Sequence, residues 1–171
     1  GKPLVLSQKT SSADLVSDAD LAAEKIVRKV ISSMRPRDSI SGEEYEDFEG
    51  TAPEVRWSID PLDGTVNFSR GLPYFATSVG AVNTNTGKWI AGAVVAPALD
   101  VMYFASLGRG AYKESGQSRT RLLGPPPERT TKLVATGFSY IAAERVEQFS
   151  ALSSEMTRFV DVRRMGSAAL D

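Results

Sequence analysis

The sequence contains no cysteine and no histidine. The absence of cysteine excludes disulfides, thiolate nucleophiles and zinc–sulfur sites. The absence of histidine removes the commonest general base and the commonest ligand of transition metals. Any hydrolytic chemistry in this chain must therefore depend on carboxylates, hydroxyl groups and a hard cation.

Long apolar runs and a strong net charge are missing as well. The longest apolar run, Trp89 to Ala96, is too short to cross a bilayer, and the first residues do not resemble a signal peptide. The formal net charge is −1, so no basic field attracts nucleic acid or an anionic membrane. Hydrophobic content of 42% and charged content of 24% are those of an ordinary globular protein. We expect a cytoplasmic protein that binds neither nucleic acid nor a membrane.

The most informative stretch runs from Trp57 to Phe68 and reads W-S-I-D-P-L-D-G-T-V-N-F. The apolar segment from Val55 to Ile59 is typical of a buried strand, which Asp60-Pro61 should end because proline has no N–H to donate. The residues from Asp63 to Thr65 then open a predicted short helix, where backbone N–H groups point outward. Two carboxylates beside such amides suit a divalent metal that carries a phosphate. Asp-Pro and Asp-Gly pairs are also common in plain solvated turns.

Acidic residues crowd the region from Gly42 to Asp63, where Arg56 is the one basic residue. They are Glu43, Glu44, Glu46, Asp47, Glu49, Glu54, Asp60 and Asp63. A solvated acidic loop accounts for those between residues 45 and 53, and we expect this loop to be mobile. For Glu43, Asp60 and Asp63 a bound cation explains the crowding better, because neighbouring carboxylates otherwise raise each other's pKa.

The remaining patterns predict an α+β fold. Apolar residues at helical spacing predict an amphipathic helix over residues 18–34, with Ser17 as its N-cap. Alternating patterns predict a strand at 39–41 and an antiparallel meander, with strands at 77–83, 88–96, 101–106 and 110–113. The proline-rich stretch at 124–127 predicts a boundary between an N-terminal domain, 1–123, and the start of a C-terminal α/β domain, 128–171. The second part is predicted to hold strands at 132–136 and 160–163, a helix at 141–158 and the beginning of a helix at 164–169.

The pattern W-x-x-D-P-x-D-G-T-x-N-F, preceded by G-E-E at residues 42–44, resembles the inositol monophosphatase family of metal-dependent phosphatases. The segments D-L-V-S-D-A-D at 14–20 and G-S-A-A at 166–169 agree with the family too, so the similarity covers nearly the whole chain. The resemblance implies a layered αβαβα sandwich with an antiparallel sheet, and this chain would end inside the second, smaller α/β domain. We also expect a homodimer.

The resemblance further implies a set of metal ligands. Glu43, Asp60 and the backbone carbonyl of Leu62 would hold a first Mg²⁺, and Asp60 and Asp63 would share a second. Glu43 would help to hold a weaker third metal, and Glu44 would steady Glu43 from behind. Mn²⁺ would be a substitute for Mg²⁺, and Li⁺ an inhibitor.

The resemblance assigns substrate contacts in the same way. The implied substrate-binding residues are Asp63, Gly64, Thr65, Ser167 and Ala168, with the amides of Gly64 and Thr65 on the phosphate. The catalytic residues implied are Thr65, Asp20 and Glu43. Thr65, oriented by Asp20, would position the attacking water, and the segment 166–169 would contact the alcohol part of the substrate.

We therefore expect Mg²⁺-dependent hydrolysis of a small phosphate monoester, first of all myo-inositol monophosphate. Related families act on histidinol phosphate, fructose 1,6-bisphosphate or 3′-phosphoadenosine phosphates. The family's later W-D…G-G motif, which supplies another metal-binding aspartate, does not occur before Asp171. The expectation is a segment of a longer enzyme, and the alternative is a non-catalytic regulator that keeps the fold.

Overall fold

The computed structural model describes residues 6–8, 15–124, 132–139 and 141–171, and for 6–8 and 15–17 it describes the backbone alone. Its helices are α1 (Asp18–Met34), α2 (Thr65–Ser69) and α3 (Ala142–Glu155). Its strands are β1 (Leu6–Gln8), β2 (Leu15–Ser17), β3 (Ser39–Gly42), β4 (Val55–Asp63), β5 (Ala76–Asn83), β6 (Trp89–Ala96), β7 (Val101–Ser106), β8 (Gly110–Ser115), β9 (Ser118–Leu122), β10 (Leu133–Ala135) and β11 (Asp161–Arg163). Short 3₁₀ turns cover Pro97–Leu99 and Met156–Arg158. The predicted boundary at Pro125 to Pro127 lies outside the described residues, so the division into two domains stays a prediction.

A seven-stranded sheet in the order β3-β4-β5-β6-β7-β8-β9 dominates the structure. β3 runs parallel to β4, and every other neighbouring pair in this sheet is antiparallel. Short connections favour this arrangement, since antiparallel neighbours need only a tight turn between them. Elsewhere β1 pairs with β2 in an antiparallel way, and β10 pairs with β11 in a parallel way. The predicted α+β fold with a mainly antiparallel sheet is confirmed.

The helix α1 covers part of one face of this sheet and has the predicted bounds. Asp18 and Asp20 lie in its first turn, where the helix dipole favours negative charge. Pro36 disfavours a helical conformation at Arg35, so the helix ends at Met34. Its apolar face packs against the sheet in a cluster of Val27, Ile31, Ile40, Trp57, Ile59 and Val79. Among the described helices, none is long and apolar enough to cross a membrane.

The strand β4 does not end at Asp60-Pro61, as predicted, but continues to Asp63. Asp60 pairs with Ser78 and Asp63 with Ala76, so three steps along β4 lie opposite two along β5. The extra residue forms a bulge, and the proline is tolerated because a bulge interrupts the hydrogen-bonded ladder. A regular strand would send residues 60 and 63 to opposite faces, whereas the bulge changes the phase between them.

The loop at residues 45–53, predicted to be mobile, is held in place by several hydrogen bonds. Phe48 and Ile40 exchange backbone hydrogen bonds of 2.8 and 2.9 Å. Glu49 accepts hydrogen bonds from the Ser39 hydroxyl at 3.0 Å and from Arg56 at 2.9 Å. The buried Ser39 needs these partners, because an unpaired polar group is costly inside a protein. Glu49 is therefore part of the local structure and not only a solvated charge.

The helix predicted to begin at residues 164–169 is present in the described structure only as a turn at residues 168–170. The chain forms a single turn, in which the N–H groups of Leu170 and Asp171 donate to the carbonyl of Ser167 at 3.2 and 3.0 Å. The N–H groups of Ala168 and Ala169 instead donate to a side chain from a distant part of the sequence. This contact makes the segment part of the candidate site.

Candidate functional site

The carboxyl ends of β3 and β4 bring the predicted acidic residues together. The two strands are parallel, and Gly42 pairs with Ile59, so Glu43 and Asp60 follow at the same edge of the sheet. Burial raises the pKa of Asp60 to about 7, and the nearby charges of Glu43, Asp63 and Asp20 raise it as well. The structure thus places three carboxylates close enough to Asp60 to disfavour its ionised form.

The turn after β4 depends on a glycine at residue 64. Gly64 has a φ angle of 97°, in the left-handed region where a side chain is strained. A Cβ atom at this position would also lie 3.1 Å from the carbonyl oxygen of Tyr74 and 3.2 Å from that of Gly166. The backbone of Gly64 can therefore approach both segments closely, and it leads directly into Thr65 at the start of α2.

The Thr65 hydroxyl has two acceptors within reach. Its oxygen lies 3.0 Å from the carbonyl oxygen of Leu62 and 3.3 Å from Oδ1 of Asp20, which is buried. A hydroxyl has one proton to donate and two lone pairs, so it can donate to Asp20 and still accept a hydrogen bond from a water. Donation to Asp20 also leaves the carbonyl of Leu62 available to a cation. The structure thus brings Asp20 and Thr65 into contact.

Asp63 is fixed by the turn that follows β11. The Ser167 hydroxyl donates to its Oδ2 at 2.6 Å, and the N–H groups of Ala168 and Ala169 donate to Oδ1 and Oδ2 at 3.1 and 2.7 Å. A carboxylate offers about four lone-pair sites, so one remains for a further ligand. Ser167 is fully buried, so its hydroxyl holds Asp63 and does not line an open surface.

The sequence did not predict that Asn67 helps to hold the segment before Ser167 in place. Its side-chain amide is buried and donates to the carbonyls of Tyr74 at 2.7 Å and Met165 at 2.8 Å. The Tyr74 hydroxyl in turn donates to the carbonyl of Leu170 at 2.7 Å. The motif contained Asn67, but its role depends on a contact 98 residues away, for which the local pattern has no signal.

Sequence reasoning also missed Glu24, one turn after Asp20 in α1. Its side chain is fully buried, accepts a hydrogen bond from Nε of Arg28 at 2.7 Å and accepts another from the backbone N–H of Glu44 at 2.7 Å. The available signal was weak, because a glutamate four residues before an arginine is common on exposed helix surfaces.

The oxygen atoms of this site are suitable for a hard cation. The candidate ligands of the first predicted metal are the Glu43 and Asp60 carboxylates and the Leu62 carbonyl, all of them oxygen donors of the kind that Mg²⁺ prefers. The raised pKa of Asp60 is caused in part by the negative charges of its acidic neighbours, which a bound cation would neutralise. Within the described ranges no group of three or more acidic side chains is arranged to hold a metal ion. The first predicted set requires only two such side chains.

Comparisons with known proteins identify the family of this chain. The profile of the inositol monophosphatase family matches residues 1–171. A relative from Mycobacterium tuberculosis H37Rv named inositol-1-monophosphatase SuhB is 39% identical over 95% of this chain and 57% of its own length. A relative from Escherichia coli K12 named Nus factor SuhB is 36% identical over 96% of this chain and 60% of its own length.

A solved structure has the same fold. The extragenic suppressor protein suhB from Bartonella henselae superimposes with a TM-score of 0.83 at 34% identity, over 98% of this chain and 62% of that one. The chain thus spans about three fifths of the length of the proteins that it matches. The chain belongs to the inositol monophosphatase family.

Proposed function

We propose that this chain carries the metal- and phosphate-binding part of a Mg²⁺-dependent phosphatase that hydrolyses a small phosphate monoester. The first candidate substrate is myo-inositol monophosphate, and the other candidates are histidinol phosphate, fructose 1,6-bisphosphate and 3′-phosphoadenosine phosphates. In this reaction water attacks phosphorus, the bond to the alcohol oxygen breaks, and a proton passes to the departing alcohol. A cytoplasmic homodimer is part of the proposal.

The proposed metal ligands are Glu43, Asp60, Asp63 and the carbonyl of Leu62. When bound, Mg²⁺ would neutralise the phosphate and lower the pKa of the attacking water, with Mn²⁺ as a substitute and Li⁺ as an inhibitor. Glu43 and Asp60 would supply the negative charge for the first ion, and the bulge in β4 allows Asp63 to act with Asp60. Asp63 would use the lone pair that residues 167–169 leave available.

The other proposed site residues orient the substrate and the water. The amides of Gly64 and Thr65 would donate to the phosphate, because the tight turn at Gly64 lets a ligand approach the backbone. The Thr65 hydroxyl would donate to Asp20 and accept a hydrogen bond from the attacking water, which aims the water's lone pair at phosphorus. Ser167 and Ala168 would define the alcohol side of the site through their hold on Asp63.

The observation that supports this proposal most is the grouping of Glu43, Asp60 and Asp63 near the carboxyl ends of β3 and β4. A carboxylate with a pKa raised to about 7, next to three other acidic residues, is unfavourable unless a cation compensates it. A purely structural role would favour an arginine or lysine partner, and among the described residues those that shift the pKa of Asp60 most include no basic residue.

Phosphate release tests the proposal directly. The full-length protein that contains this chain should release inorganic phosphate from at least one of the four candidate substrates, only when Mg²⁺ or Mn²⁺ is added, whereas these 171 residues alone should release little or none. Asp60→Asn should abolish the release, whereas Asp47→Asn, on the exposed loop, should not. Release that is unaffected by chelators or by Asp60→Asn would contradict the proposal.

A non-catalytic regulator is the second candidate, because a relative with 36% identity is named Nus factor SuhB. This reading predicts the same fold and the same Asp60 cluster, but no turnover of any phosphate monoester. One titration distinguishes the two hypotheses: both predict that Mg²⁺ binds, but only the phosphatase hypothesis predicts that phosphate is released.

A further inference from the structure

The loop that carries Glu43 is anchored to α1 by a buried carboxylate. Glu24 has no exposed surface, and its two oxygens accept hydrogen bonds from Nε of Arg28 and from the backbone N–H of Glu44, both at 2.7 Å. A buried carboxylate is costly without such partners. The bond to Glu44 fixes the backbone immediately after Glu43.

The residue before Glu43 is also in contact with Glu24. A Cβ atom on Gly42 would collide with the carboxylate of Glu24, so a larger residue there would displace this carboxylate from its present position. Glu24 therefore restrains the backbone on both sides of Glu43, through packing against Gly42 and through the hydrogen bond from Glu44.

Arg28 and Tyr45 extend the anchor. Arg28 donates to the carbonyl of Tyr45 at 3.2 Å, and its guanidinium carbon lies 5.8 Å from the centre of the Tyr45 ring. The Tyr45 hydroxyl donates to the carbonyl of Leu21 in α1 at 3.2 Å. The arginine thus neutralises Glu24 and holds the next residue of the loop.

We propose that Glu24, with Arg28 and Tyr45, is a positioning residue for the predicted metal ligand Glu43. Asp20 and Glu24 are four residues apart in α1, so they lie one above the other on the same helix face. Asp20 orients Thr65, and Glu24 orients the loop of Glu43, so one face of one helix aligns the water-positioning hydroxyl with the metal ligand. This inference rests on the proposed function, since Glu43 is a ligand only if the site binds a metal.

The decisive variant is Glu24→Gln, which keeps the shape of the side chain. The glutamine amide has one acceptor oxygen and one donor nitrogen, whereas both partners of Glu24 are donors, so one contact must break. We expect Mg²⁺ affinity, measured by calorimetry, to fall about tenfold, as is typical when a group that orients a ligand is removed. Hydrogen exchange in residues 42–48 of the metal-free protein should become faster.

Asp38→Asn is the matched control. Asp38 is also buried and also binds an arginine, with Nε of Arg35 at 2.8 Å and Nε1 of Trp57 at 3.0 Å. It lies before β3, at the end opposite Glu43. We expect this variant to melt at a lower temperature without any change in Mg²⁺ affinity.

Arg28→Lys tests the same contact if Glu24→Gln does not fold. The lysine keeps the charge but cannot bridge Glu24 and the Tyr45 carbonyl together. It should weaken Mg²⁺ binding by roughly threefold to tenfold. Its control is Arg119→Lys, because Arg119 also binds a glutamate, Glu114, and lies over a ring, that of Phe104.

The outcomes separate this inference from the proposed function. A wild-type protein that binds no Mg²⁺ would overturn both. A wild-type protein that binds Mg²⁺, together with a Glu24→Gln variant that binds it equally well, would overturn the positioning role alone. An equal loss of affinity in Asp38→Asn would also overturn it, because the effect would then be one of general stability.

Discussion

The Ser167 hydroxyl donates a hydrogen bond to Asp63 at 2.6 Å, although 104 residues separate the two in the sequence. The N–H groups of Ala168 and Ala169 reinforce this contact from the same turn. Asp63 is therefore oriented less by its own bulged strand than by a segment that arrives much later in the chain. Its availability to a ligand depends on how this segment docks.

Ser167→Ala should reduce both stability and turnover. The change removes a buried hydrogen bond to a charged group, for which we expect a loss of about 1–3 kcal/mol in the free energy of unfolding. Asp63 keeps its two backbone donors but gains freedom, so the Michaelis constant for substrate should rise. Ser69→Ala is the control, since Ser69 donates to a backbone carbonyl at 2.9 Å within α2. Equal effects of the two variants in denaturation and kinetics would contradict the special role of Ser167.

Asp60→Asn should abolish activity, but it should make the metal-free protein more stable than the wild type at high pH. In the folded, metal-free protein the pKa of Asp60 is raised to about 7, above its ordinary value of 3.8. The folded state therefore holds this proton more tightly than the unfolded state, and the stability contributed by Asp60 is lost as pH rises from about 4 to 7. Asparagine cannot ionise, so this loss should disappear.

Thermal melts with chelator at pH 5 and pH 8 test this effect. We expect Asp60→Asn to be more stable than wild type at pH 8, by about 1–2 kcal/mol once solvent screening is allowed for. Turnover with Mg²⁺ should be abolished, because a hard cation needs the charge that the variant lacks. If the variant is less stable than the wild type at pH 8, the negative charge of Asp60 does not destabilise the metal-free protein, and the prediction is wrong.

Thr65→Ala should lower kcat by roughly 10²-fold and leave the Michaelis constant nearly unchanged. The hydroxyl is proposed to orient the attacking water, and such an interaction matters most in the transition state. Thr65→Ser keeps the hydroxyl beside Asp20 and should restore most of the rate. An effect confined to the Michaelis constant would assign Thr65 to phosphate binding instead.

Gly64→Ala and Gly71→Ala form a matched pair. Their φ angles are 97° and 72°, so alanine is strained at both positions by roughly 1–2 kcal/mol. A Cβ atom at Gly71 has no neighbour within 4 Å, whereas one at Gly64 would lie 3.1 Å from the Tyr74 carbonyl. Gly64→Ala should therefore lose more stability in chemical denaturation and also lose activity. Equal losses of stability in the two variants would show that the close approach of Gly64 to the Tyr74 carbonyl is unimportant.

The parts of the fold with local signals could be predicted from the sequence. The helix α1 followed from the spacing of residues such as Val27 and Ile31, and its end followed from Pro36. The four predicted strands of the meander, β5 to β8, followed from alternation and from turn residues, whereas β9 was not predicted. The continuation of β4 through Pro61 was not, because a proline ends a strand only where its missing N–H would have had a partner.

The parts of the site that were missed depend on distant contacts. Glu24 was indistinguishable from an exposed helix glutamate, since its burial requires the bare backbone of Gly42. Asn67 lies within the motif, but its amide binds Met165, far beyond the reach of a pattern. The crowding of acidic residues was visible in the sequence itself. Neighbouring carboxylates repel one another, so their concentration near one turn suggests a bound cation.

The long separation between Asp63 and its partners has a consequence for biosynthesis. The seven-stranded sheet is complete in sequence at Leu122, whereas Asp63 awaits residues 167–169. At roughly 5–20 residues per second, a ribosome needs several seconds to translate the intervening segment. During this interval a nascent sheet can form while its acidic pocket still lacks the donors that hold Asp63. The pocket therefore matures after the sheet, and a pause in translation before Ser167 would prolong an immature state whose sheet is already in place.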